Sequence, residues 1–180
     1  MKYIIFSSLG LMTWPVMEYL LHRFVGHVLR TNTLFKKEHT RHHAETNYFA
    51  PLGYKILAAI PVSLIMMSLM TFILNSWEFG LAFNLGFLSM FSVYELVHWS
   101  FHAKAPKTQL GLRLRKHHFY HHFHNPKVNH GVTTTFIDKL SKTYIKPGII
   151  KVPKNIILPW LIEKDGQSIK PEYLDHFQLR

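Results

Sequence analysis

Three apolar stretches divide the first hundred residues. Ile56 to Leu74 runs without a charge, Phe79 to Val97 is broken only by Glu95, and Tyr3 to Leu21 only by Glu18. Each has the composition of a membrane-spanning helix, for which about 20 apolar residues suffice. The first is not a cleavable signal peptide, because it runs straight into a polar, His-bearing segment with no small-residue cleavage site. Only Asn75, Ser76, Trp77 and Glu78 separate the second stretch from the third, so these two form an antiparallel hairpin with Trp77 at the outer interface. Pro15 and Pro61 read as bends within spans. From Ser141 onward, Pro, Gly and Lys alternate with short apolar patches (Ile149, Ile150, Ile156 to Leu158, Trp160, Leu161). That composition predicts an irregular basic tail lying on the membrane surface or over the polar part of the protein.

Charge fixes the orientation. The chain carries 21 Lys and Arg against 10 Asp and Glu, a net charge of +11. The basic residues concentrate in the segments His22 to Pro51 and Ser100 to Arg180, while Asn75 to Glu78 has none. The positive-inside rule therefore puts both basic segments in the cytoplasm, with the Asn75 connection and the N-terminus outside. The charge reflects topology and attraction to anionic headgroups, and no nucleic-acid-binding module is implied. With no Cys, disulfides and thiolate metal sites are excluded.

All but His176 of the 14 His lie in or beside the two cytoplasmic segments. They group as His22 and His27; His39, His42 and His43; His98 and His102; and His117, His118, His121 and His122, followed by His124 and His130. Neutral imidazole is a good ligand for iron, copper, zinc and nickel. Residues three and four apart share a helix face, so His98 with His102, His39 with His42 and His43, and His118 with His121 and His122 each present nitrogens in one direction. His118 is taken over His117 because it repeats the H-x-x-H-H form. His22 and His27, five apart, diverge by about 140° on an ideal helix, and Gly26 offers the break that returns the ring. Ten ligands exceed the capacity of one metal and suit two. Glu18 and Glu95 each lie one turn deeper than a proposed ligand, His22 and His98, where a carboxylate accepting the other ring N–H would fix tautomer and orientation. The fold class is thus all-α and integral to a membrane, with about three transmembrane helices and a cytoplasmic helical His-rich metal-binding cap.

The runs EYLLHRFVGH (Glu18 to His27), HTRHH, YELVHWSFH (Tyr94 to His102) and HHFYHHFHNPKVNHGVTTTFIDKL (His117 to Leu140) together resemble the fatty acid hydroxylase and sterol desaturase superfamily, and most closely its fatty acid 2-hydroxylase branch. The resemblance implies two iron ions, with zinc possible as purified. They would be held by His22, His27, His39, His42, His43, His98, His102, His118, His121 and His122, with Glu18, Tyr94 and Glu95 as further catalytic residues. It implies O2-dependent hydroxylation of a lipid or fatty acyl chain by residues 1–140, residues 141–180 packing as a basic tail. There is no fused cytochrome b5 domain, so a separate electron donor of ferredoxin or cytochrome b5 type is expected. His130 stands where Gly or a hydrophobic residue is more usual, as an added or replacement ligand. A desaturase or carotenoid hydroxylase of the same superfamily, or a non-enzymatic metal-binding membrane protein, are the alternatives. The lack of an evident C-terminal retention signal favours a bacterial inner membrane over endoplasmic reticulum.

Overall fold

A computed structural model describes residues 1–30 and 32–180. Helix α1 (Lys2–Leu20) continues into a π-helical segment, Leu21–Val28. It is followed by α2 (Leu34–Ala44), α3 (Leu52–Leu74), α4 (Trp77–Ala103), α5 (Gln109–Phe123) and the short α6 (Phe136–Leu140). Three helical spans, Lys2–Val28, Leu52–Leu74 and Trp77–Ala103, are long and apolar enough to cross a membrane. Asn75 closes α3 in the left-handed conformation with φ of 46°, and Ser76 caps α4 by accepting from the Phe79 N–H. The hairpin turn is therefore tighter than the four residues expected, and Trp77, exposed, already belongs to α4.

Helices α1 and α4 run parallel, with α3 antiparallel to α4. Tyr3 meets Phe79 near one end, with ring centroids 5.5 Å apart, and Trp14 meets Phe91 further along at 4.9 Å. Two glycines allow this approach. A Cβ on Gly10 would lie 2.0 Å from the Phe83 carbonyl oxygen, and one on Gly86 1.9 Å from that of Ser7. Small residues are what let helix backbones touch within a bilayer, where packing must substitute for the hydrophobic effect. The lipid-facing side of α3 is lined by exposed Leu57, Ile60, Leu64, Ile65 and Phe72. With this parallel pairing the C-terminal ends of α1 and α4 finish at the same level, and both carry His.

The polar end is closed by α5 and by the chain beyond it. Phe101, Leu112, Phe119 and Phe123 form one core with Ile150, Val152, Leu158, Trp160, Leu161 and Phe177. The Trp160 indole N–H donates to the Phe101 carbonyl at 2.9 Å. Strands β1 (Ile150–Val152) and β2 (Phe177–Leu179) pair in parallel, Ile150 opposite Phe177. The helical class holds, with this two-stranded addition where the sequence showed only an irregular tail: of its apolar residues Ile150, Leu158, Trp160 and Leu161 bury against α5, the second of the two placements expected, while Ile149 stays exposed.

Gly86→Leu is expected to separate α1 from α4, since backbone and not a flexible side chain fills the space. A loss of at least ~3 kcal/mol, the upper end for overpacking, should appear as a lowered Tm of the detergent-solubilised protein, with Gly53→Leu, at a position with open space, unchanged.

Candidate metal centre

All ten imidazoles singled out from the sequence converge, in two groups of five. His22, His27, His39, His43 and His121 form the first, and His42, His98, His102, His118 and His122 the second; within each, one nitrogen per ring lies within 4.8 Å of all the others. The two H-x-x-H-H blocks do not each point one way. Successive helical residues are about 100° apart, so the outer pair and the inner residue of each block diverge. α2 sends His39 and His43 to the first group and His42 to the second, whereas α5 sends His118 and His122 to the second and His121 to the first. His43 and His122 stack face to face between the groups, centroids 4.1 Å apart.

His22 and His27 reach one site by a different route from the break expected at Gly26. The chain from Leu21 to Val28 is π-helical, and the Leu29 N–H closes it onto the Phe24 carbonyl at 2.8 Å. Hydrogen bonds from i to i+5 bring residues five apart into register. Gly26 serves instead to admit a neighbour: a Cβ there would sit 3.0 Å from the His39 ring.

The hydrogen-bond pattern decides what the groups can do. His22 Nδ1 lies 2.5 Å from the His130 carbonyl, and His121 Nδ1 2.8 Å from the Val128 carbonyl. A carbonyl only accepts, so both Nδ1 atoms carry hydrogen and both Nε2 atoms of the neutral rings present bare lone pairs. Yet these two Nε2 atoms are 2.9 Å apart. Two lone pairs at that separation repel unless a cation lies between them. Along the first group His27, His39, His43 and His121 continue at Nε2 separations of 2.8 to 3.2 Å. A metal with bonds of ~2.1 Å to two nitrogens at a right angle sets them ~3.0 Å apart. The second group repeats the spacing, 3.0 Å between His42 and His98 and 2.8 Å between His102 and His118. The donor set thus fits a metal ion in each group, and the all-nitrogen character suits transition metals.

The chain matches the fatty acid hydroxylase family over residues 7–143. It belongs to that family. It is 29% identical to a dihydroceramide fatty acyl 2-hydroxylase of Arabidopsis thaliana, over 79% of this chain and 60% of that protein. It is 27% identical to a fatty acid 2-hydroxylase of Rattus norvegicus, over 76% and 38%. It is 26% identical to the ceramide very long chain fatty acid hydroxylase of Saccharomyces cerevisiae, over 77% and 37%. The chain therefore spans 60% or less of these relatives. Its fold matches the hydroxylase domain seen in full-length scs7p, with a TM-score of 0.60 and 23% identity over 80% of this chain and 56% of that one.

The acids of this hydroxylase-family chain do not meet the ligand rings. Glu18 accepts from the Val132 N–H, the Thr133 N–H at 3.2 Å and the Thr133 hydroxyl at 2.6 Å. It therefore holds the loop whose His130 carbonyl receives His22, one bond removed from the expected carboxylate–imidazole contact. Glu95 pairs with Lys55 across α3 and α4 and not with His98. Each carboxylate finds its donors on a neighbouring element instead, Glu18 on the loop at Val132 and Thr133 and Glu95 on α3. Tyr94 stacks on His98, centroids 5.7 Å apart. His130 packs 5.2 Å from His121 and 5.6 Å from His22 but lies outside both groups, and His117 donates to Asp138 at 3.0 Å, also outside them.

Asp138 is the residue that sequence reasoning missed. Buried completely, it accepts from His117, the His130 and Gly131 N–H groups (2.9 and 2.7 Å) and the Thr143 hydroxyl (2.7 Å). Burial alone would raise its carboxyl; these donors hold it far below the usual carboxylate range instead. The signal was present: Asp138 is the sole acid between Glu95 and Glu163 in a strongly basic stretch.

Burial, aided by neighbouring imidazoles, pushes His39, His118, His121 and His122 well below 6.5, and lowers His43 to about 3. Burial also takes His42 down to about 4, against its hydrogen bond to the Tyr48 carbonyl. These bases are neutral at pH 7 and ready to bind metal without first losing protons. On unfolding they regain ordinary values, so below 6.5 the unfolded chain binds more protons than the folded one. The metal-free protein should therefore lose stability as pH falls from 6.5 toward 4, by roughly 1 kcal/mol per pH unit for each such His, and gain none above 7. Unfolding midpoints across that range check this, and bound metal should shift the loss to lower pH.

Proposed function

We propose that the protein is a membrane-bound dinuclear-metal oxygenase that hydroxylates a fatty acyl chain, using O2 and electrons from a separate donor of ferredoxin or cytochrome b5 type. Residues 1–140 are read as the hydroxylase unit and 141–180 as its cover. The observation that carries the reading is a cavity of about 130 Å³ that joins the membrane helices to the metal centre. Its apolar walls include Trp14 of α1, Val62 of α3 and Phe87 and Phe91 of α4, and its lining reaches His22, His39, His42 and His98. An acyl chain leaving the bilayer is solvated by such walls as it was by lipid. It has no polar handle at the carbon to be attacked.

A pair of iron ions, the metals we assign, would supply O2 activation and abstraction of hydrogen from an unactivated C–H bond, chemistry no side chain offers. The chain's own residues do the rest. His22, His27, His39, His43 and His121 would hold one ion and the other five imidazoles the second. The carbonyls of Val128, His130 and Tyr48 fix ring orientation through Nδ1–H. Tyr94, stacked on His98, and the Lys55–Glu95 pair line the same cavity and bound the acyl path. By the positive-inside rule the metal end faces the cytoplasm, an orientation that a bacterial inner membrane and an endoplasmic reticulum both provide.

His121→Ala removes a ligand whose Nε2 lies within 3.2 Å of three others of its group, His22, His27 and His43, and should abolish hydroxylated product while leaving the protein in the membrane. Mass spectrometry of total lipids from expressing cells checks it. Persistence of hydroxylated chains in that variant overturns the assignment, and two iron atoms per chain in the purified wild type support it.

A further inference from the structure

The two groups of imidazoles are braced unequally. Both braces on the first come from one loop: Val128 receives His121 and His130 receives His22. That loop is gripped by two buried carboxylates on opposite sides, Glu18 at Val132 and Thr133, and Asp138 at His130 and Gly131. Asp138 is itself saturated, each oxygen taking two donors. The Thr143 hydroxyl that donates to it lies 3.1 Å from the Tyr19 hydroxyl on α1, which receives Arg23 at 2.6 Å. Every link is ionic-assisted or buried, so the loop has no inexpensive way to shift.

The second group has one brace of hydrogen-bond geometry, His42 to the Tyr48 carbonyl at 2.7 Å; His102 faces the Thr46 backbone without closing such a bond. His118 and His122, its pair from α5, have their Nδ1 atoms buried with no acceptor among the described residues. A ring without that partner is aimed by packing alone and forms a less basic ligand.

Resting on the dinuclear reading above, we propose that the two metal sites are inequivalent, the first retaining its ion longer than the second, and that Asp138 is the positioning residue responsible. It acts through the loop, touching neither ion. His22 and His121 are aimed by carbonyls whose positions Asp138 sets, and no corresponding device reaches His118 or His122.

The test follows zinc leaving the detergent-purified full chain into an excess of chromogenic chelator. Two phases of one equivalent each are expected in the wild type, and His22→Gln should remove the slow one. Asp138→Asn keeps the volume but withdraws the charge that four donors require; it should accelerate the slow phase by about 10- to 100-fold, the range for partners of ligating His, and leave the fast phase unchanged. Thr143→Val, which removes a single donor, should act in the same direction by less, and serves where Asp138→Asn fails to fold. Release of both ions in one phase from the wild type, or acceleration of both phases alike in the variants, overturns the inference while leaving the dinuclear centre standing. A folded wild type that binds fewer than two zinc ions overturns both.

Discussion

Among ten packed imidazoles, His22 and His121 hold bare Nε2 lone pairs 2.9 Å apart that cannot satisfy one another, and this constraint organises the protein. Neither ring can donate to the other, because each Nδ1 has already spent its hydrogen on a carbonyl. Protonation is opposed by burial and by the neighbouring rings. A cation relieves that contact, and the fold around it brings lone pairs together and keeps water and protons out. The loop from Val128 to Thr133, the carboxylates that clamp it and the aromatic cover from the C-terminal segment all serve that end.

The membrane helices contribute depth more than chemistry. Because α1 and α4 run parallel and touch backbone to backbone at Gly10 and Gly86, their last turns finish together, and His22 with His27 and His98 with His102 arrive at one level. The same helices leave between them and α3 an apolar space that ends on four of the ligands. Lipid side and metal side are thus joined without a polar passage through the bilayer midplane.

Much of this was legible in the sequence. Long apolar runs marked the spans, and repeated His spacings the ten imidazoles that converge, because each of these is a local pattern readable along the chain. What escaped depends on geometry that spacing does not encode. The π-helical turn at Leu21–Val28 changes the period itself. The division of each H-x-x-H-H block between two sites follows from where α2 and α5 lie relative to one another. Glu18 and Glu95 stood at plausible distances along their own helices, but their partners, Thr133 and Lys55, come from far along the chain. Asp138 gains its meaning only when Thr143, His117 and the Gly131 amide fold around it.

The crossing of α2 and α5 between the two groups makes each bound ion a cross-link. α2 is an 11-residue, largely polar helix, too short to persist by itself in water. With His39, His42 and His43 grouped with rings as distant as His121 and His122, an ion in each group would close a chain loop of roughly 80 residues, comparable in entropic effect to a disulfide over the same span, on the order of 4 kcal/mol. The order of α2 would then depend on the ions far more than that of α5, which the apolar core of Phe119, Trp160 and Phe177 holds on its own account.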